Sequence, residues 1–399
     1  MKRMPVMLIG IFCMVGLMIS GASAVDRVKV GIVLPLTGSQ AKFGEIEKNS
    51  FELALEEINA SGGIHGNKLE LIIKDDTGRP EVGRSVVEKL ITENKVVMIG
   101  GGHSSSVTYA VAGICQQHKM PFLVNTGSAD KITSSGWDYI YRLNPPVSHY
   151  ADAITTLLAE KVKPNTVAIV YENSPFGTKG SKSFEKICKR EGYQVVLKKE
   201  YEHGAMDFKP MLIQIKQLNP DIIYMVSHTM DASLLMKQAR KLKLTPKMFI
   251  GGATGFTLKK FLQNAGGASE KVISATLWHQ VFPFPGAMDY YKNFVKKYNK
   301  PTVYYGAQAY SACYVIADVL KRAQSFKNSD IKQALSETDM MTVFGPVRFA
   351  SWGNLKNQNK AASYVVQWIN GKLELVWPTD HATEEFKYPV DWMKTWGYW

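Results

Sequence analysis

The sequence has few cysteines, and this excludes several classes of site. Only four cysteines occur in 399 residues, at positions 13, 115, 188 and 313. No two of them have the C-x-x-C spacing of zinc or redox motifs, so neither a zinc site nor a disulfide framework is predicted. The last three each lie in an apolar, helix-like context and are expected to be buried thiols, although a Cys115–Cys313 disulfide remains an alternative.

A second long apolar run is also absent. The one at the N-terminus follows Lys2 and Arg3, covers residues 6–19 and precedes the small residues at 22–24. This pattern is typical of a secretory signal peptide cleaved after Ala24, with an uncleaved membrane anchor as the alternative. Bulky Phe12 argues against lipidation of Cys13. The remaining chain is expected to be a soluble periplasmic monomer of about 375 residues in two domains.

Blocks of like charge are absent too. Loss of Lys2 and Arg3 lowers the formal net charge from +13 to +11, and the other basic residues are scattered. Together with export, this argues against a nucleic-acid partner and favours a solvated surface. The pair Asp75 and Asp76 has no further ligands at fixed spacing, so it is interpreted as a cap at a helix start. No metal or other cofactor is expected.

Strand-like and helix-like segments alternate along the chain. VKVGIVLPL is followed by the amphipathic KNSFELALEEINA and then by KLELIIKDD, which predicts a parallel sheet covered by helices. The alternation restarts after YIYRLNPP with TVAIVYEN. Both halves then have a loop reaching Phe-Gly, at residues 43–44 and 176–177. The sequence therefore predicts two similar α/β lobes, with the aromatic tail DWMKTWGYW packed on the second.

One stretch, IGGGHSSSVTYAVAGICQQ from Ile99, places glycines and hydroxyls where a buried strand becomes a helix. It lacks the third glycine of a dinucleotide fingerprint and the lysine of a phosphate loop. It nearly matches the nucleophile elbow of α/β-hydrolases, with Ser104 as nucleophile and Asp231 with His279 or His381 as partners. A simpler interpretation is a helix N-terminus that binds a carboxylate, or a serine that only caps its helix.

The order and spacing of five segments resemble the periplasmic leucine/isoleucine/valine-binding protein family: VKVGIVLPLTGSQAKFG, INASGGIHGNKLELIIKDD, IGGGHSSSVT, MPFLVNTGS and VFGPVRFASWGNLK. The resemblance covers nearly the whole mature chain. It implies a type I periplasmic binding fold, in which two doubly wound α/β lobes, joined by three crossovers, close on a ligand and deliver it to an inner-membrane ABC permease. It implies that residues 25–143 and 276–345 form lobe 1 and residues 144–275 and 346–399 form lobe 2.

The resemblance also implies which residues bind the ligand. Ser104, followed by Ser105, and Ser128 match hydroxyls that bind a carboxylate, and either Thr126 or Gly127 matches the residue whose carbonyl receives an ammonium. The remaining matches are cleft-wall positions: Phe43, Phe176, His228, Trp278 and Tyr305. Core packing is the competing interpretation of Trp278 and Tyr305, and helix capping is that of His228.

One departure from the family concerns the ligand. The amino-acid binders have a glutamate for the ligand ammonium where this chain has Ala253 or Thr254, in GGATGF. Either another acid such as Asp231 substitutes, or the ligand has no ammonium, since a buried unpaired charge is costly. We therefore expect a non-enzymatic solute-binding protein for a hydrophobic carboxylate. The alternatives are a ligand-sensing subunit for a chemoreceptor or sensor kinase and, third, a serine hydrolase.

Overall fold

The computed structural model describes residues 27–252 and 255–398; residues 1–26, which include the predicted signal peptide, and Ala253, Thr254 and Trp399 lie outside the described residues. The described chain forms two separate β-sheets. The strands are β1 (Arg27–Leu34), β2 (Lys68–Asp75), β3 (Met98–Gly101), β4 (Phe122–Val124), β5 (Ile140–Arg142), β6 (Thr166–Glu172), β7 (Gln194–Tyr201), β8 (Ile222–Val226), β9 (Met248–Gly251), β10 (Ile273–Thr276), β11 (Asp339–Thr342), β12 (Gly345–Trp352), β13 (Leu355–Asn359), β14 (Tyr364–Ile369) and β15 (Lys372–Trp377).

Each sheet has a parallel centre and an antiparallel edge. The order in the first sheet is β11-β12-β13-β5-β4-β3-β1-β2, and its antiparallel pairings are β11 with β12 and β12 with β13. The order in the second is β15-β14-β10-β9-β8-β6-β7, with β14 and β15 antiparallel. We call the sheets, with their helices, lobe 1 and lobe 2. The predicted fold class, two doubly wound α/β lobes, is confirmed.

Helices connect the strands and cover the sheets. Helix α11 (Tyr304–Arg322) packs against α1 (Ala41–Ala60) on lobe 1, and fifteen of its nineteen residues are buried. The helices are α1 (Ala41–Ala60), α2 (Pro80–Thr92), α3 (Ser105–Gln117), α4 (Lys131–Ser134), α5 (Asp152–Leu157), α6 (Pro175–Glu191), α7 (Lys209–Leu218), α8 (Thr229–Lys241), α9 (Lys259–Ala265), α10 (Ala287–Tyr298), α11 (Tyr304–Arg322), α12 (Asn328–Ser336) and α13 (Trp392–Thr395). None of the helices in the described ranges is long and apolar enough to span a membrane.

The third passage between the lobes differs from the expected limit at Gly345. Strands β12 and β13 belong to the first sheet, so the chain passes to lobe 2 between Asn359 and Tyr364. A buried hydrogen bond between two residues far apart in the chain keeps β13 in the first sheet. The Arg142 guanidinium, fully buried, donates through Nε to Gln358 Oε1 at 2.6 Å, and Gln358 pairs with Arg142 in the sheet. A buried guanidinium needs such acceptors, so β13 is held beside β5.

The aromatic tail packs on lobe 2, as the sequence predicts. Trp392 is buried, donates through Nε1 to the Pro246 carbonyl at 2.6 Å and sets its ring edge-on to Phe249. All three cysteines in the described residues are buried and free, so the alternative Cys115–Cys313 disulfide is not formed. Burial raises the pKa of the Cys115 thiol well above its ordinary range, which leaves it an unreactive core group.

Candidate functional site

A cavity of about 370 Å³ lies between the two lobes. Its walls are built from segments that follow the carboxyl ends of parallel strands: β2, β3 and β4 in lobe 1, and β6, β7 and β8 in lobe 2. This is where ligands bind in open α/β sheets, because loops diverge there and helix N-termini point inward. The cleft expected from the sequence is therefore present, with contributions from both lobes.

The serine stretch heads α3 and faces this cavity. Ser104 is the N-cap residue but makes no side-chain capping bond, and its Oγ lies 3.1 Å from Ser106 Oγ. Ser105 Oγ instead accepts the backbone N–H groups of Ser128 and Ala129, at 3.3 and 3.1 Å. Ser105 thus holds the loop after β4 in place. Ser104 and Ser106 leave hydroxyls at the cavity beside a helix N-terminus, which suits a carboxylate.

The loop after β4 separates two residues that the sequence left as alternatives. Thr126 and Ser128 line the cavity. Gly127 does not: its carbonyl accepts from Arg142 Nη1 at 3.3 Å, and a Cβ at this position would overlap the Thr108 side chain. Of the two candidates for the ammonium contact, only Thr126 lines the cavity, and the contact itself stays a prediction.

The lobe 1 aromatic wall differs from the expectation. Phe43 lies in the first turn of α1, not in a loop, and is 5% exposed. Its ring stacks on His103 at 5.0 Å and 18° and meets Tyr305 edge-on, so His103 and Tyr305 line the cavity while Phe43 supports them from behind. Phe43 as a direct wall residue is therefore corrected, because a helix begins there and turns the ring into the lobe.

On lobe 2 the predicted wall residues lie together at the cavity. Phe176, in the first turn of α6 rather than in a loop, stacks on His228 at 5.7 Å and 26°. Trp278 lies elsewhere: it is buried, donates through Nε1 to the Val343 carbonyl at 2.7 Å and borders a separate hollow. Trp278 is thus a packing residue. Thr254, with Ala253, lies outside the described residues.

A buried acid, Glu172, is the main residue that the sequence analysis missed. It ends β6, is fully buried by its neighbours and borders the cavity. Its carboxylate accepts from Ser174 Oγ at 2.6 Å and from the His228 backbone N–H at 3.1 Å. Burial alone would raise the Glu172 pKa, but the hydrogen bonds from His203 and Ser174 help to bring it below its ordinary value, so the group is ionised.

Two histidines flank Glu172 in different protonation states. His203 Nδ1 lies 3.1 Å from Asp231 Oδ2 and 3.4 Å from Glu172 Oε2. The hydrogen bond to Asp231, and then that to Glu172, raises the pKa of His203 to about 10, so it is an imidazolium at neutral pH. Burial lowers the pKa of His228, whose Nε2 lies 3.2 Å from Glu172 Oε1. An acid ending a buried strand was the sequence signal for this group.

Lobe 1 also places acids behind the cavity wall. His103 Nδ1 lies 2.8 Å from Glu47 Oε1, and both side chains are buried. Asp75 accepts from the Leu36 backbone N–H at 2.8 Å, and Asp76 accepts from Gly78 N–H at 2.8 Å. Since the N-cap of α2 is Arg79, the predicted helix cap is wrong: these acids hold turns beside the cavity. Burial raises the pKa of Asp76 to about 6.

The serine, acid and histidine residues nominated for a hydrolase do not lie together. The side-chain partner of Ser104 Oγ is Ser106 Oγ, and Asp231 pairs with His203 rather than with either nominated histidine. His279 borders the separate hollow next to Trp278, and His381 contacts Asp380. A nucleophile needs a base within hydrogen-bond reach, so the nominated residues do not form a triad.

Two α/β lobes around a cleft with a serine-headed helix N-terminus define a bilobed ligand-binding protein. A family model described as periplasmic binding protein matches residues 27–372, and the chain belongs to that family. It is 28% identical over 386 residues to Leu/Ile/Val-binding protein homolog 7 of Brucella abortus (strain 2308), covering 92% of this chain and 96% of the relative.

Two solved structures share the fold. One is the branched-chain amino acid transporter substrate-binding protein LivJ from Streptococcus pneumoniae in complex with isoleucine, with a TM-score of 0.80, 24% identity and coverage of 91% of this chain and 100% of that one. The other is a solute-binding protein of an ABC transporter from Rhodopseudomonas palustris BisB5 in complex with 3,4-dihydroxybenzoic acid. Its TM-score is 0.75, at 21% identity and with coverage of 87% and 95%.

Proposed function

We propose that this chain binds a small organic carboxylate in the interlobe cavity and delivers it to an ABC permease. The observation that carries the proposal is the hydroxyl cluster at the N-terminus of α3. Ser104, Ser106 and Ser128 lie at one cavity wall of lobe 1, opposite the Phe176–His228 stack of lobe 2. Hydroxyl and backbone donors at a helix terminus neutralise a carboxylate without a formal counter-charge.

The ligand body meets a mixed wall rather than a purely apolar one. Phe176 and Tyr305 supply aromatic surface, while His103 and His228 add imidazole rings. We infer that a planar or branched body of modest size fits this space. The two structural relatives were solved with isoleucine and with 3,4-dihydroxybenzoic acid, both small carboxylates, and this supports the same ligand class here.

The expectation that no acid is available for a ligand ammonium needs revision. Glu172 is an ionised carboxylate on the lobe 2 wall, although its oxygens already accept from Ser174, His228 and His203. We propose that the cavity accepts both amino acids and their deaminated analogues. The preference between them depends on whether the ammonium displaces a histidine from Glu172.

Export, delivery and the absence of turnover complete the proposal. Cleavage after Ala24 would release the mature chain to the periplasm, where a permease receives the ligand. A binding protein returns its ligand unchanged, and the unassembled Ser104 triad supports this. Intact mass of periplasmic protein should begin at Val25; a mass retaining residues 1–24 would contradict export with cleavage.

A thermal-shift panel tests the ligand class. It pairs leucine, isoleucine, valine and phenylalanine with their 2-oxo acids, and adds benzoate and simple amides. Ligand at 100 times its Kd stabilises the fold by about 2.7 kcal/mol, which raises the Tm of a chain of this size by a few degrees. Shifts by carboxylates and none by amides are expected. Shifts by amides alone would contradict the carboxylate site.

A further inference from the structure

Three metal-binding side chains converge on the lobe 2 side of the cavity. Glu172 ends β6, His203 lies in the loop after β7, and Asp231 lies in the first turn of α8. One donor atom from each lies within 4.8 Å of the other two. Three separate segments of the chain thus meet at one point, where the sequence motifs predicted no metal site.

The distances match a metal coordination sphere. His203 Nδ1 lies 3.1 Å from Asp231 Oδ2 and 3.4 Å from Glu172 Oε2. Around a tetrahedral zinc ion with bonds of about 2.1 Å, neighbouring donor atoms lie about 3.4 Å apart. The two distances to His203 Nδ1 are therefore close to those of a tetrahedral site, and the Glu172 and Asp231 donor atoms lie within 4.8 Å of each other.

The charge at this point also favours a cation. Glu172 and Asp231 are buried, and within residues 27–252 and 255–398 neither has an ion pair with a lysine or arginine. Their ion-pair partners are the histidines 203 and 228. Two carboxylates buried side by side without a lysine or arginine partner are costly in a low-dielectric setting. A divalent cation bound between them would compensate both acids.

The site is accessible from solvent at His203, and a further nitrogen donor lies beside it. The His203 side chain is 48% exposed and borders the cavity, so an ion reaches the acids from solvent. His228 Nε2 lies 3.2 Å from Glu172 Oε1, and the other ring nitrogen of His228 is buried without a hydrogen-bond partner. A second imidazole is therefore next to the three donors.

We propose that Glu172, His203 and Asp231 form a site for a divalent first-row transition metal at the lobe 2 wall of the cavity. Carboxylate and imidazole donors without a thiolate suit Zn²⁺, Ni²⁺ or Mn²⁺. The site uses lobe 2 residues alone and is separate from the serine cluster of lobe 1. It goes beyond carboxylate binding, since the ion binds whether or not an organic ligand is present.

Isothermal titration of chelator-treated, full-length mature protein with ZnCl₂ tests the site. Wild type should bind one Zn²⁺ per chain, and His203→Ala and Asp231→Asn should each weaken binding at least about tenfold. His118→Ala is the matched control, because His118 pairs with a single exposed acid, Glu88, at 2.9 Å on lobe 1. If His203 is only an ion-pair partner of the two acids, wild type will not bind zinc, and this result would overturn the proposal. An equal loss of zinc affinity in His118→Ala would overturn it as well.

Two further measurements separate this site from the proposed function. Metal-free His203→Ala should still unfold in one cooperative urea transition, with only the small loss of stability expected of a half-exposed ion pair; this shows that loss of zinc is not loss of fold. Ser104→Ala should bind Zn²⁺ as wild type does while losing carboxylate affinity. Intact carboxylate binding without zinc binding overturns the metal site alone, and zinc binding without carboxylate binding overturns the proposed function alone.

Discussion

The two lobes place the same three residue types at or behind the cavity wall, arranged with one difference. In lobe 1, Phe43 stacks on His103, which pairs with Glu47. In lobe 2, Phe176 stacks on His228, whose partner is Glu172.

The difference lies in where each acid sits. Glu47 is on helix α1 behind the wall, whereas Glu172 ends a strand at the wall and also meets His203. The same residue types therefore make a closed support in lobe 1 and an open, anionic cluster in lobe 2. The hydroxyls that we propose as carboxylate donors lie on lobe 1 and the Glu172–Asp231 pair lies on lobe 2, so the two cavity walls differ in polarity.

Both phenylalanines are positioned by a following glycine. A Cβ on Gly44 would overlap the Pro35 carbonyl oxygen, and one on Gly177 would overlap the Glu172 carbonyl oxygen. In each lobe the first helical turn therefore packs directly on the backbone at the end of a strand. This is why the sequence shows Phe-Gly twice, and why each phenylalanine is held against its histidine.

The largest expected effect on stability comes from substituting the two glycines that follow these phenylalanines. Gly44→Ala and Gly177→Ala should each cost about 3 kcal/mol of unfolding free energy, because a backbone carbonyl cannot move aside as a side chain can. Gly113→Ala is the control: it lies in α3 with nothing within 4 Å of an added Cβ, and should stabilise by about 0.5–1 kcal/mol. Urea unfolding measures all three, and equal effects would refute the argument.

The next effect tests the polarity of the lobe 1 wall. Ser104→Ala should weaken carboxylate binding about 10- to 100-fold, because a hydrogen bond to a charged group contributes about 1.5–3 kcal/mol. Stability should not change, since Ser104 makes no capping bond. Calorimetry with a carboxylate from the thermal-shift panel measures the affinity. Ser61→Ala, at the far end of α1, is the control; an esterase activity that Ser104→Ala abolishes would instead support the hydrolase.

A smaller effect concerns the lobe 2 cluster and pH. His203 has a folded-state pKa raised from 6.5 to about 10, so its proton stabilises the fold fully below about pH 6.5 and less as pH rises toward 10. Because the side chain is half exposed, the loss should be below about 1 kcal/mol.

Urea unfolding at pH 6.5, 8 and 9.5 should show this decline in wild type. His203→Gln should remove it, while the exposed His118→Gln control should retain it. NMR titration of the imidazoles should show His228 titrating below 6.5, in the direction that its burial imposes. An identical pH slope in His203→Gln would mean that other groups cause it.

The smallest signal is the movement of one lobe relative to the other. Ligand contacts to both walls favour a closed state over an open one. Small-angle scattering should therefore show a lower radius of gyration with saturating ligand, and Ser104→Ala should need more ligand to reach it. An unchanged radius at saturation would argue against closure.

Much of this architecture was predictable because it is local. The strand–helix alternation and the hydroxyls heading α3 each lie within one short segment, so periodicity and composition reveal them. The placement of Ser104 and Ser128 at the cleft followed from the family resemblance. The errors arose at longer range: the Arg142–Gln358 pairing moved the third crossover, and His103 took the wall position expected of Phe43.

The sequence by itself determined two α/β lobes, a serine-headed helix at a strand end and an aromatic tail on the second lobe, because these depend on residues close together in the chain. Only the tertiary structure decided that Glu172, His203 and Asp231 meet at one point. Those residues belong to three segments, and no spacing rule connects them. The carboxyl ends of β6, β7 and β8 are brought together by sheet pairing, and that pairing, not the sequence pattern of any segment, made the lobe 2 wall anionic.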